Sequence, residues 1–324
     1  MKLRNKAVLS SAIALMLAAP LAAQATDITF SPTGLAGGNI SGVSTIDQAP
    51  GSALAFGGTA AINAAANGTG NTGFTLFYQA NLQVLQNTNG DILFSNGTGG
   101  NFFTFVAGFG ENVISAQPYP GTATFALDTT NPVNYFKIYA NTSAGDNLTG
   151  AGFGDGKLIL SGRVTSEATS NFQVSSITPV LLDQAGANDW GTQQTVTGAG
   201  TTDLTVTIDS ADSGYFPSLD LATAIAFSFF NTSAVDPFKQ VNPSKCVNTD
   251  TSKCSIGGGI DATTSIGSVN GDLNLGGANF LLQADANESI SVPTRVPEPA
   301  TSAMLGLGLS LLGLFGISRK KNQS

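Results

Sequence analysis

Apolar residues in this chain come in short runs separated by Gly, Asn, Ser and Thr. No stretch between the first thirty residues and Asp285 combines a long 3.6-residue apolar period with helix caps at both ends. Period-2 order is present instead. Leu204, Val206 and Ile208 alternate with Thr205 and Thr207, a pattern that gives a strand one buried and one wet face. Runs rich in β-branched and aromatic residues predict strands over 74–85, 102–114, 122–127, 135–140, 157–164, 172–177, 204–208, 222–230 and 280–284. Residues 31–71 are rich in Gly and Ala with a weaker pattern, which predicts short strands and long loops there. Regularly spaced strands with Gly and Asn turns imply an all-β domain, a β-sandwich or jelly-roll-like fold. Asn67-Gly68-Thr69-Gly70 before Phe74 and Asn96-Gly97-Thr98-Gly99 before Phe103 repeat a turn-then-strand unit. Two copies fall short of a solenoid and read as similar turns on successive strands.

The two ends depart from this pattern. Lys2, Arg4 and Lys6 precede an apolar stretch over 7–21 and the small-x-small tripeptide Ala23-Gln24-Ala25. That order is a secretory signal peptide over 1–25, with cleavage after Ala25. At the other end, Pro297 and Pro299 flank Glu298 and isolate a following helix, because proline fits neither a helix interior nor a central strand. Residues 303–317 run without a charge and are followed by Arg319, Lys320 and Lys321. Fifteen residues make a helix of about 22 Å, which reaches the ~30 Å hydrocarbon core only with residues 300–302 and Ser318 added. The basic tail belongs on the cytoplasmic side.

Pro297-Glu298-Pro299, an apolar helix and a basic tail at the extreme C-terminus resemble the PEP-CTERM sorting signal of Gram-negative bacteria, here over 296–321. The resemblance implies processing by an exosortase after passage through the export machinery. The inner membrane is then a transient partner, through the C-terminal helix of a membrane-anchored precursor. The destination is the cell surface or extracellular matrix. Further motifs are similar to the flocculation-associated PEP-CTERM proteins: Asn134-Tyr135-Phe136-Lys137-Ile138-Tyr139, the run from Gly150 to Gly156 with Leu158-Ile159-Leu160, Gly214-Tyr215-Phe216-Pro217, and Gln240-Val241-Asn242-Pro243. This second resemblance implies a secreted protein that holds cells together in flocs or biofilm with exopolysaccharide.

Setting both ends aside leaves a secreted domain over 26–292. Between Thr26 and Val296 there are seven basic and twenty acidic residues, a net charge of −13. Such a domain carries no basic footprint for nucleic acid, and its acidity suits solubility outside the cell. The chain has no histidine, which excludes Ser-His-Asp and Cys-His nucleophilic sites. Carboxylate chemistry survives that exclusion, but nothing in the sequence pairs Glu111, Glu167 or Glu288 as a glycoside hydrolase would require. No enzymatic activity is expected.

Cys246 and Cys254 are the only cysteines and lie in an exported chain, so a local disulfide is expected. No cofactor is expected, with one ion weighed. Asp146, Asp155, Asp209 and Asp212 lie in loops rich in Gly, Ser and Asn, where they offer oxygens either to Ca²⁺ or to the turns themselves. The Gly150–Gly156 run lacks the spacing of a dinucleotide loop and reads as a turn. Trp190, the sole tryptophan, sits between Asp189 and Gly191 and suits either a sugar-stacking platform or a loop anchor; Tyr119, Tyr139 and Tyr215 are further glycan candidates. A calcium-assisted, lectin-like module is thus the alternative to the matrix role.

Overall fold

A computed structural model of the chain describes residues 27–35, 38–117, 121–219, 226–250, 254, 259–271 and 277–291, with only the backbone for 169, 226–232 and 291. The strands are β1 (Ile28–Phe30), β2 (Ile40–Val43), β3 (Thr45–Gln48), β4 (Gly51–Phe56), β5 (Gly73–Gln86), β6 (Ile92–Ser95), β7 (Phe102–Ala116) and β8 (Thr122–Leu127). They continue with β9 (Asn134–Asn141), β10 (Lys157–Leu181), β11 (Gln194–Ala211), β12 (Ala226–Asp236), β13 (Cys246–Asn248), β14 (Gly259–Asp261), β15 (Val269–Asn270) and β16 (Phe280–Ser291). Among the described residues two α-helices, α1 (Gly58–Asn67) and α2 (Ala262–Ser265), interrupt them. With 56% of the described residues in strands, the all-β expectation holds.

The main sheet returns on itself. In circular order, β11 pairs β12, β12 pairs β16, β16 pairs both β3 and β4, and both of those pair β5. Strand β5 pairs β7, β7 pairs both β8 and β9, both of these pair β10, and β10 pairs β11 again. All these pairings are antiparallel, so opposite walls face one another across a single interior. Closure removes the exposed edges that an open sheet would leave to aggregation.

Alternation fills that interior. Phe103, Phe105, Ala107, Phe109 and Val113 on β7 face inward, as do Leu204, Val206 and Ile208 on β11 and Ala284, Ala286 and Ile290 on β16. At one end Phe30 of β1 and Phe216 plug the barrel, Phe30 lying 5.1 Å from Phe103 and 5.2 Å from Phe216 between ring centroids. At the other end Phe172 and Phe280 meet edge to face at 5.0 Å, and Ile62 of α1 lines the same region.

A second core lies on the outside of the same wall. Leu54, Phe77, Val106, Tyr135, Tyr139 and Leu281 point away from the interior and are covered by Phe153, Leu182, Trp190, Phe238, Val247 and Ile266 from the long loops. Strands β4, β5, β7 and β9 are therefore buried on both faces.

Three differences from the sequence reading have local causes. The expected strands at 157–164 and 172–177 are one strand, β10, because the polar stretch between them still pairs its backbone with β11 through several bulges. The 31–71 region, expected to hold only short strands and loops, contains α1. Its alanines favour helix, and Gly57 and Gly68 bound it at φ 84° and 66°; neither end carries a Ser, Thr, Asp or Asn cap that would have marked it. Of the expected strand at 222–230, residues 222–225 lie outside the described residues.

Candidate functional site

The export and sorting residues Ala23, Ala25, Pro297, Glu298, Pro299, Arg319, Lys320 and Lys321 lie outside the described residues, as does Tyr119. Among the described residues no helix is long and apolar enough to cross a membrane.

The loop candidates gather on the second core. Cys246 and Cys254 form a disulfide with Cα atoms 5.7 Å apart. The loop is tied to β5 by Gln79, whose Nε2 donates to Ser244 Oγ at 2.7 Å and whose Oε1 accepts from Asn248 N at 2.9 Å. Gly150 passes so close that a Cβ there would lie 1.9 Å from the Cys246 carbonyl oxygen, and its φ is +77°, so only glycine fits. The 150–156 run is the turn the sequence implies.

Trp190 is not the exposed platform that one of its two readings required. It is 5% exposed within the second core, and its backbone N–H donates to Asp183 Oδ2 at 3.1 Å. Asp183 also accepts from the backbone of Ala185 and Asp189, so a buried carboxylate organises the loop around the indole. Aromatic bulk between polar neighbours is the signature of either role, and the packing decides for the anchor. Tyr139 is buried in the same core, whereas Tyr215 carries Lys157 Nζ 5.0 Å from its ring centroid.

The four aspartates weighed for calcium are held separately. Asp146 accepts from Leu148 N and Thr149 Oγ1 and closes its own turn. Asp209 pairs with Arg163. Asp212 pairs with Lys157 at 2.7 Å, and that contact holds its carboxyl below the usual range. Asp155 is exposed in the turn before β10. Among the described residues no group of three or more Asp, Glu or Cys is placed to hold a metal ion.

The structure does bring together carboxyls that the sequence left unpaired. Glu111 of β7 points inward and is 2% exposed. Burial first, and the neighbouring Glu167 of β10 second, push its pKa well above the carboxylate range; burial likewise raises Glu167. Ser170 Oγ donates to Glu111 Oε1 at 2.8 Å and lies 2.9 Å from Thr202 Oγ1. Glu288 on β16 is fully buried, hydrogen-bonded by Gln48 Nε2, and pushed up to about 8 by burial. Its charge acts in turn on Tyr78, whose phenol is raised by burial first. Glu111 and Glu167 lie 56 positions apart, and their pairing follows from barrel register, which no local pattern displays.

On the outside, the β10–β11 ribbon carries an exposed ladder of small polar side chains. Ser161 and Ser210 are 2.6 Å apart, Thr165 and Thr207 3.2 Å, and Asn171 Nδ2 donates to Thr201 Oγ1 at 3.1 Å.

Residues 295–320 match the family model described as the PEP-CTERM protein-sorting motif. No curated protein and no solved structure matches the chain. The matched segment contains the Pro297-Glu298-Pro299 motif and the run of apolar residues that follows it, and the motif directs processing by exosortase. The chain thus carries a PEP-CTERM sorting motif, which marks it as an exported, membrane-anchored precursor that reaches the cell surface.

Proposed function

We propose that the sorted domain is a non-enzymatic matrix component that binds exopolysaccharide and contributes to floc or biofilm structure. The observation that supports this most is the β10–β11 ribbon, where hydroxyl and amide groups stand on an exposed antiparallel surface. Sugar hydroxyls hydrogen-bond to such groups in place of water, and many weak contacts repeated along a polymer give useful avidity. This reading needs no metal or cofactor. Glu111, one member of the carboxyl pair closest to a hydrolase arrangement, is buried inside the barrel, where a polysaccharide chain has no access. The similarity to flocculation-associated proteins over 134–160 and 214–243 points the same way.

The test replaces Thr165, Asn171, Thr201 and Thr207 together by alanine in the native bacterium. Normal surface delivery and melting temperature, with loss of polysaccharide co-sedimentation and of flocs, is the expected result. Wild-type flocculation by this variant and by a strain lacking the whole protein sinks the proposal.

A further inference from the structure

The barrel interior is not filled. Ala53, Ala107, Ala234, Ala284 and Ala286 occupy inward positions at one level of the ring and line a cavity of about 50 Å³. A second cavity of about 60 Å³ shares Leu76, Thr202 and Leu282 with the first and extends to Glu111 and Ser170. A third, of about 40 Å³, shares Ile62, Phe172 and Phe280 with the second and extends to Gln117 and Gly121 at the barrel rim. The three chambers thus adjoin in series from rim to centre. Each exceeds the roughly 10–15 Å³ that one water requires, in a fold whose interior would normally be close-packed.

Buried polar groups with no partner stand along this path. Tyr78 lines the innermost chamber, is 6% exposed, and its hydroxyl makes no hydrogen bond. Near it, Glu288 Oε2 and Gln48 Oε1 are also buried without partners. In the middle chamber Glu111 is buried beside Glu167, to which it is hydrogen-bonded. An unsatisfied buried polar atom costs roughly 1–3 kcal/mol, and such atoms in native folds call for an explanation. Apolar walls with hydrogen-bonding groups at defined points are the composition of a small-molecule site.

We propose that the barrel interior binds a slender, uncharged amphiphile, an aliphatic chain with a hydroxyl or similar neutral oxygen, seated with its polar end at Tyr78. The walls decide the charge. Alanine, leucine and phenylalanine side chains offer a buried ion no solvation, and an anionic head would also stand beside Glu288 and Glu111. Burial raises both acids, Glu288 to about 8, so that at neutral pH Glu288 presents an O–H donor as well as an acceptor to a neutral head group. Chambers of only about 40–60 Å³ each favour a slender guest. This assignment is independent of the polysaccharide role of the outer ribbon.

The probe is 1-hexanol, compared at pH 6 with hexanoate and hexylamine. Binding to the folded state raises the melting temperature in a saturable way, opposite to the general denaturing action of alcohols. The expected result is a saturable rise with hexanol alone, a roughly five- to tenfold weaker affinity in Tyr78→Phe, as loss of one hydrogen bond implies, and no binding to Ala284→Leu, which fills the central chamber. Ala284→Val, a smaller filling that keeps the fold should the leucine variant unfold, must weaken binding in proportion. Absence of a saturable rise in wild type overturns the proposal and leaves the chambers to water. Equal affinity in both Ala284 variants, or tighter binding of hexylamine, overturns it as well.

Discussion

The doubly buried wall formed by β4, β5, β7 and β9 and the half-wet ribbon of β10 and β11 are built from the same backbone pairing and differ in what covers the outer face. On β7 the run from Phe103 to Glu111 is buried throughout, because the barrel interior covers one face and loops bearing Phe153, Trp190 and Phe238 cover the other. On β11, Leu204, Val206 and Ile208 face the interior while Asp209 and Ser210 are exposed. The wall buries apolar side chains on both faces and the ribbon on one, so a wall residue has more to lose on truncation. The ribbon contributes closure of the barrel and leaves its outer surface free for partners.

The sharpest way to break this contrast is to compare one side chain from each region. Phe105→Ala removes a ring that is 1% exposed in the interior and is expected to cost about 3–5 kcal/mol. Thr165→Val on the wet face is expected to change stability by less than about 0.5 kcal/mol. Urea midpoints at fixed slope measure both, and similar costs for the two would mean that the ribbon is as tightly packed as the wall.

The next effect concerns pH. Glu288 has an ordinary value of 4.5 and is raised to about 8 by burial in the folded chain. Around it stand Gln48 and Tyr78, with Asp47 and Asp285 also acting on Tyr78. The native state keeps a proton that the unfolded state releases, so this stabilisation is complete below the unfolded value and declines as pH rises toward about 8. At roughly 1.4 kcal/mol per pH unit, this group alone is worth on the order of 5 kcal/mol across the window. Glu111 and Asp236, both raised chiefly by burial, act in the same direction. Denaturation between pH 4.5 and 8.5 should therefore show stability falling with pH, with a shallower fall in Glu288→Gln. A wild-type stability that rises over this range contradicts the assignment of protonated interior acids.

The smallest effect belongs to the loop cover. Replacing Cys246 and Cys254 by serine opens a nine-residue ring, worth about 2.5 kcal/mol in the chain-entropy picture. Because the disulfide staples one loop over the outer core, hydrogen exchange is expected to rise around residues 244–248 and Trp190 while the barrel interior keeps its protection. Equal loss of protection on β7 and β11 would show that the cover and barrel unfold as one unit.

Particular elements show how far the sequence could be read. Residues 122–127 form a strand with the expected ends, and the strand expected at 74–85 gains one residue at each side, because runs of β-branched and aromatic residues have few alternatives to a pleated surface. The alternation at 204–208 marked the ribbon correctly as half wet. Trp190 had two readings, since its neighbours Asp189 and Gly191 suit an exposed loop and a buried anchor equally; the Asp183 carboxylate that settles it lies seven positions away and acts through folded backbone. The inward direction of Glu111 was within the period-2 pattern of β7, but a charged residue in an apolar series reads as an exception until its partner is visible.

The sequence by itself determined the β class, most strand positions, the terminal sorting motif and the cysteines available to a disulfide, since each depends on residues near one another along the chain. Tertiary structure alone decided closure of the sheet, the meeting of Glu111 with Glu167, the covered outer wall and the chambers lined by alanine. Those features arise from contacts between segments tens to hundreds of residues apart, whose register is set by the whole ring of strands and is written in no single stretch.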